Sequence, residues 1–352
     1  DMQAFVTLHD PVQPDWRQER LTTFEVWGAP PGDDQFYAVL DSGRTGPMSA
    51  WADVIQYRNG QYFRETRFYR LFAGRWVRTV PDRTAAFWGD QIEAQTNHFE
   101  LVFRQRDEEA ARFLADQLEA RYAQVCVDFN CNGTEADERY LKLVLEPGVQ
   151  IAARGNRQGN IITVTLPAPS LTGLYYAALD TGEPGRNPQI DAIFSQHVLY
   201  PILYYASGGL DRWVHDRGGI MYVWAFGAWE RIRRGLLPAD ELIPRPDVLR
   251  AAEPIPLDQL WAWSTDLYSR DLIRNQAAAL IQFIDETYGP EQVLAFFRAL
   301  RHAQSLPHWI EVVGLPYSEF EAKWAAWLKN YRAADIQSAG SDQTRPANQS
   351  TN

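Results

Sequence analysis

The sequence predicts an α+β protein in two parts, a curved antiparallel-sheet domain followed by a domain that opens with a few strands and ends in helices. Three observations carry this. Turn dipeptides divide β-rich runs as far as residue 90, apolar residues then recur at helical spacing from Asp107, and a Gly289-Pro290 junction separates two amphipathic runs near the C-terminus. At 352 residues the chain has room for two domains, and 45% hydrophobic with 22% charged residues is the composition of a folded protein.

A short helical start leads into Thr23 to Trp27, Phe36 to Leu40 and Trp51 to Tyr57, runs separated by Pro30-Pro31-Gly32-Asp33 and Asp41-Ser42-Gly43. Both separators are clusters of turn residues. Asn59-Gly60 between β-rich runs is a strong hairpin signal, and Ala73-Gly74 divides Gln61 to Phe72 from Arg75 to Val80. Aromatic residues occupy both parities of the third run, Tyr62 and Phe68 on one and Phe63 and Tyr69 on the other, so both faces are expected to be covered.

Phe99, Leu101 and Phe103 alternate as a strand, and Asp107 offers an N-cap to a helix with Ala111, Leu114, Leu118, Tyr122 and Val125 on one face. Strands at Tyr140 to Leu145 and Ile161 to Leu166 complete a βαββ opening. Beyond residue 188 the pattern is helical except for Pro-rich loops between 236 and 257. Ile273, Ala277, Leu280, Ile281, Ile284 and Tyr288 make one face, with Gly past its end and Pro at the next start. Ser318-Glu319-Phe320-Glu321 reads as a capping box before a stripe of Phe320, Trp324, Trp327 and Leu328. The predicted division is 1–92, 93–335 and a disordered tail at 336–352, polar and poor in apolar residues.

A net charge of −11 argues against nucleic acid and anionic membrane as partners, and no apolar run is long enough to cross a bilayer. The chain opens at Asp1 without a charged, then apolar, leader pattern, so a processed form or fragment is expected, with the export signal not in this chain. Cys126 and Cys131 are the two cysteines; either they close a local disulfide, which persists in an oxidising compartment, or they are free thiols. Most of the 13 Trp, Trp76 and Trp224 among them, fall at core spacing, which leaves a sugar-binding reading unsupported.

Two runs carry a resemblance to a known family. They are Thr287-Tyr288-Gly289-Pro290-Glu291 and Leu315-Pro316-Tyr317-Ser318-Glu319-Phe320-Glu321-Ala322-Lys323-Trp324, with the opening from Asn97-His98-Phe99-Glu100 to Tyr122. Over roughly residues 95 to 332 the chain resembles the peptidase MA-like, or gluzincin, zinc metallopeptidases. Phe63 to Arg70, Gly74-Arg75-Trp76 and Phe87-Trp88-Gly89 resemble the final strands of nuclear-transport-factor-like or cystatin-like cone domains, incomplete at the start.

Active members of that family carry His-Glu-x-x-His on one helix, because two imidazoles four residues apart share a face and bind one zinc while the Glu acts as base. This sequence contains no such motif among its six histidines. The resemblance places Gln196-His197-Val198-Leu199-Tyr200 on the motif positions within a helix from Ile190 to Tyr205. Ile193 and Pro201 stand one turn either side of His197, and Pro201 is expected to kink the helix. The third ligand falls at Phe226 in a helix from Ile220 to Arg234, with Glu230 one turn on, expected to be solvated or paired with Arg233 or Arg234.

The implied function is a catalytically inactive metallopeptidase-like protein, with a binding or scaffolding role at the cell surface or outside the cell and no zinc cofactor. A peptide or protein partner would occupy the former active-site cleft, pairing with Ile161 to Leu166 as an edge strand. The alternative is an active hydrolase with a non-standard metal site around His197, His215, Asp216 and Glu230. Separately, Asp128-Phe129-Asn130-Cys131-Asn132-Gly133 matches the start of a calcium loop, with Asp128, Asn130, Asn132 and Asp137 or Glu138 as ligands; a metal-free structural turn is the competing reading. Asn132-Gly133-Thr134 is also a glycosylation sequon.

Overall fold

A computed structural model of the chain describes residues 8–18, 37–58, 61–132, 134, 136, 141–147, 154–158, 161–172, 188–208, 217–236, 244–261 and 267–333. The expected strand at Thr23 to Trp27 and the tail at 336–352 lie outside the described residues. The protein is α+β, and the chain divides into two compact units, Asp1–Ala206 and Ser207–Asn352.

The first unit holds two sheets. Strands β1 (Tyr37–Gly46), β2 (Ser49–Arg58), β3 (Gln61–Phe72) and β4 (Arg75–Thr79) form an antiparallel meander in chain order. Asp41-Ser42-Gly43, expected as a turn, lies inside β1, opposite Asp53, Ala52 and Trp51. The register shifts between Val39 and Asp41, so a bulge absorbs the turn-prone residues and the strand bends instead of ending. The connection comes later, where Gly46 pairs with Ser49. Arg58 pairs with Gln61 across Asn59 and Gly60, which themselves lie outside the described residues.

Between β3 and β4, Phe72 pairs with Arg75 around Ala73 at φ 49° and Gly74 at φ 78°. Two successive positive φ values are what a tight hairpin turn needs to follow the strand twist. Phe68 is buried on this sheet with Trp88 and Ala168, and Trp51, Phe87 and Leu171 pack on that cluster. Trp76, expected in the core, is 40% exposed and carries the Arg44 guanidinium 5.8 Å from its ring centre.

The second sheet follows the short helix α1 (Ala85–Trp88). Its strands are β5 (Gln91–Gln95), β6 (Phe99–Arg104), β7 (Leu141–Glu146), β8 (Arg154–Gln158) and β9 (Ile161–Pro167), in spatial order β5-β6-β7-β9-β8. The three inner strands run parallel and the two outer ones antiparallel to their neighbours. Helix α2 (Glu108–Phe129) crosses over between β6 and β7 and buries Leu114, Leu118, Tyr122 and Val125 as its spacing predicts. Phe99, Leu101 and Phe103 of β6 and Leu141, Leu143 and Leu145 of β7 are buried, alternating with partly exposed neighbours.

Strand β9 is therefore not an edge, contrary to the expectation for Ile161 to Leu166. It pairs with β7 on one side and β8 on the other. Arg154–Gln158 was missed because its few polar residues carry no alternating apolar signal. Short helices α3 (Pro169–Thr172) and α4 (Pro188–Ile193), a π-helical turn at Phe194–Val198 and α5 (Leu199–Ala206) complete the unit.

The second unit is helical among its described residues: α6 (Arg217–Arg233), α7 (Pro246–Arg250), α8 (Arg270–Tyr288), α9 (Pro290–Leu300), α10 (Leu306–Val312) and α11 (Tyr317–Ala333). Gly289, at φ 88°, separates α8 from α9 as expected. Ser269 caps α8 by accepting from the Leu272 amide. The expected box at Ser318 falls inside α11, since Phe320 N–H already donates to the Pro316 carbonyl. The core gathers around fully buried Trp309, whose ring meets Tyr222, Phe226, Trp261 and Phe296 at 4.8 to 5.9 Å between centres.

Candidate functional site

The segment expected to carry the zinc motif is helical but not a regular α-helix. Pro201 has no N–H, and its ring would collide with the residue 197 carbonyl, four positions back. The turn before it is widened accordingly: the Leu199 N–H donates to the Phe194 carbonyl, five residues back. Arg121 of α2 anchors the start of this segment, its Nε and Nη2 at 3.1 and 2.7 Å from Asp191 Oδ1.

On this segment Gln196 is exposed, while His197 and Tyr200 are half-buried. Burial alone pulls the His197 imidazole below its ordinary value, which favours the neutral ring. Ile193 and Pro201, four residues on either side of His197, contribute no ligand atom from their side chains, so no second imidazole or carboxylate stands one turn away from it.

The remaining positions of the expected site sit in the second unit. Phe226 is fully buried, edge-on to Phe297 at 5.2 Å and to Trp309 at 5.9 Å between ring centres. Glu230 is also fully buried, which corrects the solvated alternative. Its Oε2 accepts from Arg233 Nε at 2.9 Å, and its Oε1 accepts from Arg233 Nη2 at 3.2 Å and from Arg234 Nε. A carboxylate bound on both oxygens by two guanidiniums is poorly placed to ligate a metal, because its lone pairs are taken and its charge is offset. His215 and Asp216 lie outside the described residues.

The calcium-loop segment begins as the C-terminus of α2. Asn130 adopts the left-handed conformation (φ 55°, ψ 68°) that closes a helix, and the Cys131 N–H reaches the Cys126 carbonyl at 3.2 Å. Cys126 and Cys131 are joined as a disulfide, with Cα atoms 4.8 Å apart, the geometry that the first of the two alternatives requires. The Tyr122 hydroxyl donates to the Ala136 carbonyl at 2.5 Å and pins the chain that follows. Asp128 and Asn132 flank this turn, while Gly133, Asp137 and Glu138 lie outside the described residues. Among the described residues no three His, Cys, Asp or Glu side chains are grouped as a metal would need.

Two charged constellations were not foreseen. Glu119 takes hydrogen bonds from Thr96 Oγ1, the His98 amide and His98 Nδ1, the last at 2.7 Å, and the His98 ring stacks on Tyr122 at 4.0 Å. Burial raises the Glu119 pKa, but these hydrogen bonds outweigh it and hold the carboxyl below its usual range. Arg106 lies 4.3 Å from the ring centres of both Trp51 and Phe87 and reaches Asp53 Oδ2 at 3.2 Å. Asp53 also holds Arg64 and Thr66, each at 2.6 Å. Neither constellation has a sequence signal, because the partners lie 21 and 53 residues apart.

No helix among the described residues is long and apolar enough to cross a membrane. No protein-family profile, curated protein or solved structure matches the chain.

Proposed function

We propose that the chain is a catalytically inactive relative of the peptidase MA-like metallopeptidases and works by binding an extended peptide or protein segment. The observation that carries the reading is the fate of the position the resemblance gives to the third zinc ligand. There Phe226 is a core ring enclosed by Phe297 and Trp309, so no donor atom is available and the position serves packing. Glu230, the nearest carboxylate on the same helix, is bound by Arg233 and Arg234. Zinc hydrolysis needs three protein ligands and a free base beside the bound water. A site around His197, His215 and Glu230 would require Glu230 to leave both arginines first.

The peptide is expected to add along β8, the outer strand beside β9, since main-chain pairing to a sheet edge gives affinity without catalytic groups. The disulfide supports a setting outside the cytoplasm, where such a bond persists. The test is incubation of the purified chain with a peptide library, with and without a zinc chelator, alongside binding of the same peptides by fluorescence anisotropy. Uncleaved peptides that bind saturably are expected. Chelator-sensitive cleavage would overturn the reading.

A further inference from the structure

The second unit contains a groove of about 550 Å³ that includes none of the expected zinc-site or calcium-loop positions, formed between the face of α11 and the segment that follows α7. Its volume lies within the range of small-molecule sites, roughly 300 to 1,000 Å³. The base is apolar: Ile255 and Leu257 from the segment, and Trp324 and Leu328 from α11, are all buried side chains that line it.

The rim has the opposite character. Arg250, Lys329 and Arg332 line it, against one carboxylate, Glu321, which accepts from the Tyr317 hydroxyl. Arg250 donates through Nε to the Pro246 carbonyl and Arg332 through Nη2 to the Ala252 carbonyl, neutral acceptors that orient each guanidinium without cancelling its charge. Among the described residues no carboxylate pairs with any of the three cations. In a chain of net charge −11, this is a local excess of positive charge beside an apolar recess.

The backbone of the recess selects further. Pro254 and Pro256 have no N–H, and Ile255 engages both its amide and its carbonyl with the Gln276 side chain, at 2.8 and 2.6 Å. Three consecutive residues of this wall thus offer a peptide no free N–H, whereas a hydrocarbon needs none. We propose that this groove binds a medium-chain fatty carboxylate, its hydrocarbon lying over Trp324 and Leu328 and its carboxylate meeting Arg332, Lys329 and Arg250.

The test is calorimetric titration of the intact protein with decanoate, with 1-decanol as the uncharged control and acetyl-trileucine, which carries a free C-terminal carboxylate, as the peptide control. Decanoate is expected to saturate one site, with decanol at least about tenfold weaker because it lacks the charge. Ala325→Trp fills the groove from an exposed helix position whose methyl side chain makes no hydrogen bond, and is expected to abolish binding. Lys329→Met is expected to weaken decanoate several-fold while leaving decanol unchanged. Arg332→Met is the stronger variant, read together with its melting curve. Absence of saturable decanoate binding, equal binding of decanol, or full binding by Ala325→Trp would each overturn the proposal. Preference for the tripeptide would overturn the hydrocarbon assignment and make the groove a peptide C-terminus site.

Discussion

The Arg106 guanidinium lies 4.3 Å from the centre of the Trp51 indole, with the Phe87 ring at the same distance. Its Nη2 also reaches Asp53, whose carboxyl feels burial pushing its pKa up and hydrogen bonds from Thr66 and Arg64, with Arg106 beside it, pulling it further down. One side chain thus joins the four-stranded sheet to the start of α2. Arg106→Met keeps the apolar stem and removes the charge, and is expected to destabilise the protein by roughly 2 kcal/mol. Urea denaturation measures it, and a cycle with Trp51→Leu should show a coupling of about 1 kcal/mol.

The β3-β4 turn holds a non-glycine residue, Ala73, at φ 49°. Left-handed backbone disfavours Ala by about 1 kcal/mol and is tolerated better by Asn. Ala73→Asn, which writes Asn-Gly into the turn, is expected to stabilise the protein by roughly 0.5 kcal/mol. An unchanged or lower denaturation midpoint would show that the turn does not limit stability.

Removal of the disulfide by Cys126→Ser with Cys131→Ser is expected to lower stability by about 2 kcal/mol, the chain-entropy value for a loop of about six residues. The Asn130 cap and the Tyr122 to Ala136 bond remain, so the variant should still fold. Circular dichroism and the denaturation midpoint are the readouts.

Glu230→Ala removes the buried carboxylate to which Arg233 and Arg234 both donate. A loss of roughly 1 to 2 kcal/mol is expected, below the range for a fully buried pair because the two arginines are 36% and 21% exposed. Glu230→Gln, which keeps shape and one acceptor, should lose less. A Glu230 variant that is fully stable but loses a hydrolytic activity would instead assign this residue to catalysis.

His197 titrates below its reference of 6.5 because it is desolvated. The unfolded chain therefore takes up the proton first as pH falls. The contribution is fully retained above pH 6.5 and is lost as pH falls toward the folded value. His197→Asn, which does not titrate, should flatten the stability profile below about pH 6.5 relative to the parent. Identical slopes in the two proteins would place the imidazole in solvent.

What was legible in the sequence was local. Helix α2 could be read because Leu114, Leu118 and Tyr122 repeat at the helical period, and the α8-α9 junction because Gly289 and Pro290 have opposite uses at helix ends. The absence of His-Glu-x-x-His is likewise a plain fact of the chain. Asp107 shows the limit. It stands where a cap was expected, yet its carboxylate makes no cap bond to α2 and accepts instead from the Ser170 amide, 63 residues away.

The sequence by itself thus determined the helical and strand periods, the hairpin at Ala73-Gly74 and the absence of His-Glu-x-x-His, since each depends on neighbours within a few turns. Only the tertiary structure decided that β8 covers β9, that Glu230 is buried between two arginines, that Arg106 is enclosed by two rings, and that an apolar groove carries three cations with no carboxylate partner among the described residues. Sheet order, burial and charge compensation are set by residues tens of positions apart, and a one-dimensional pattern holds no record of which of them meet.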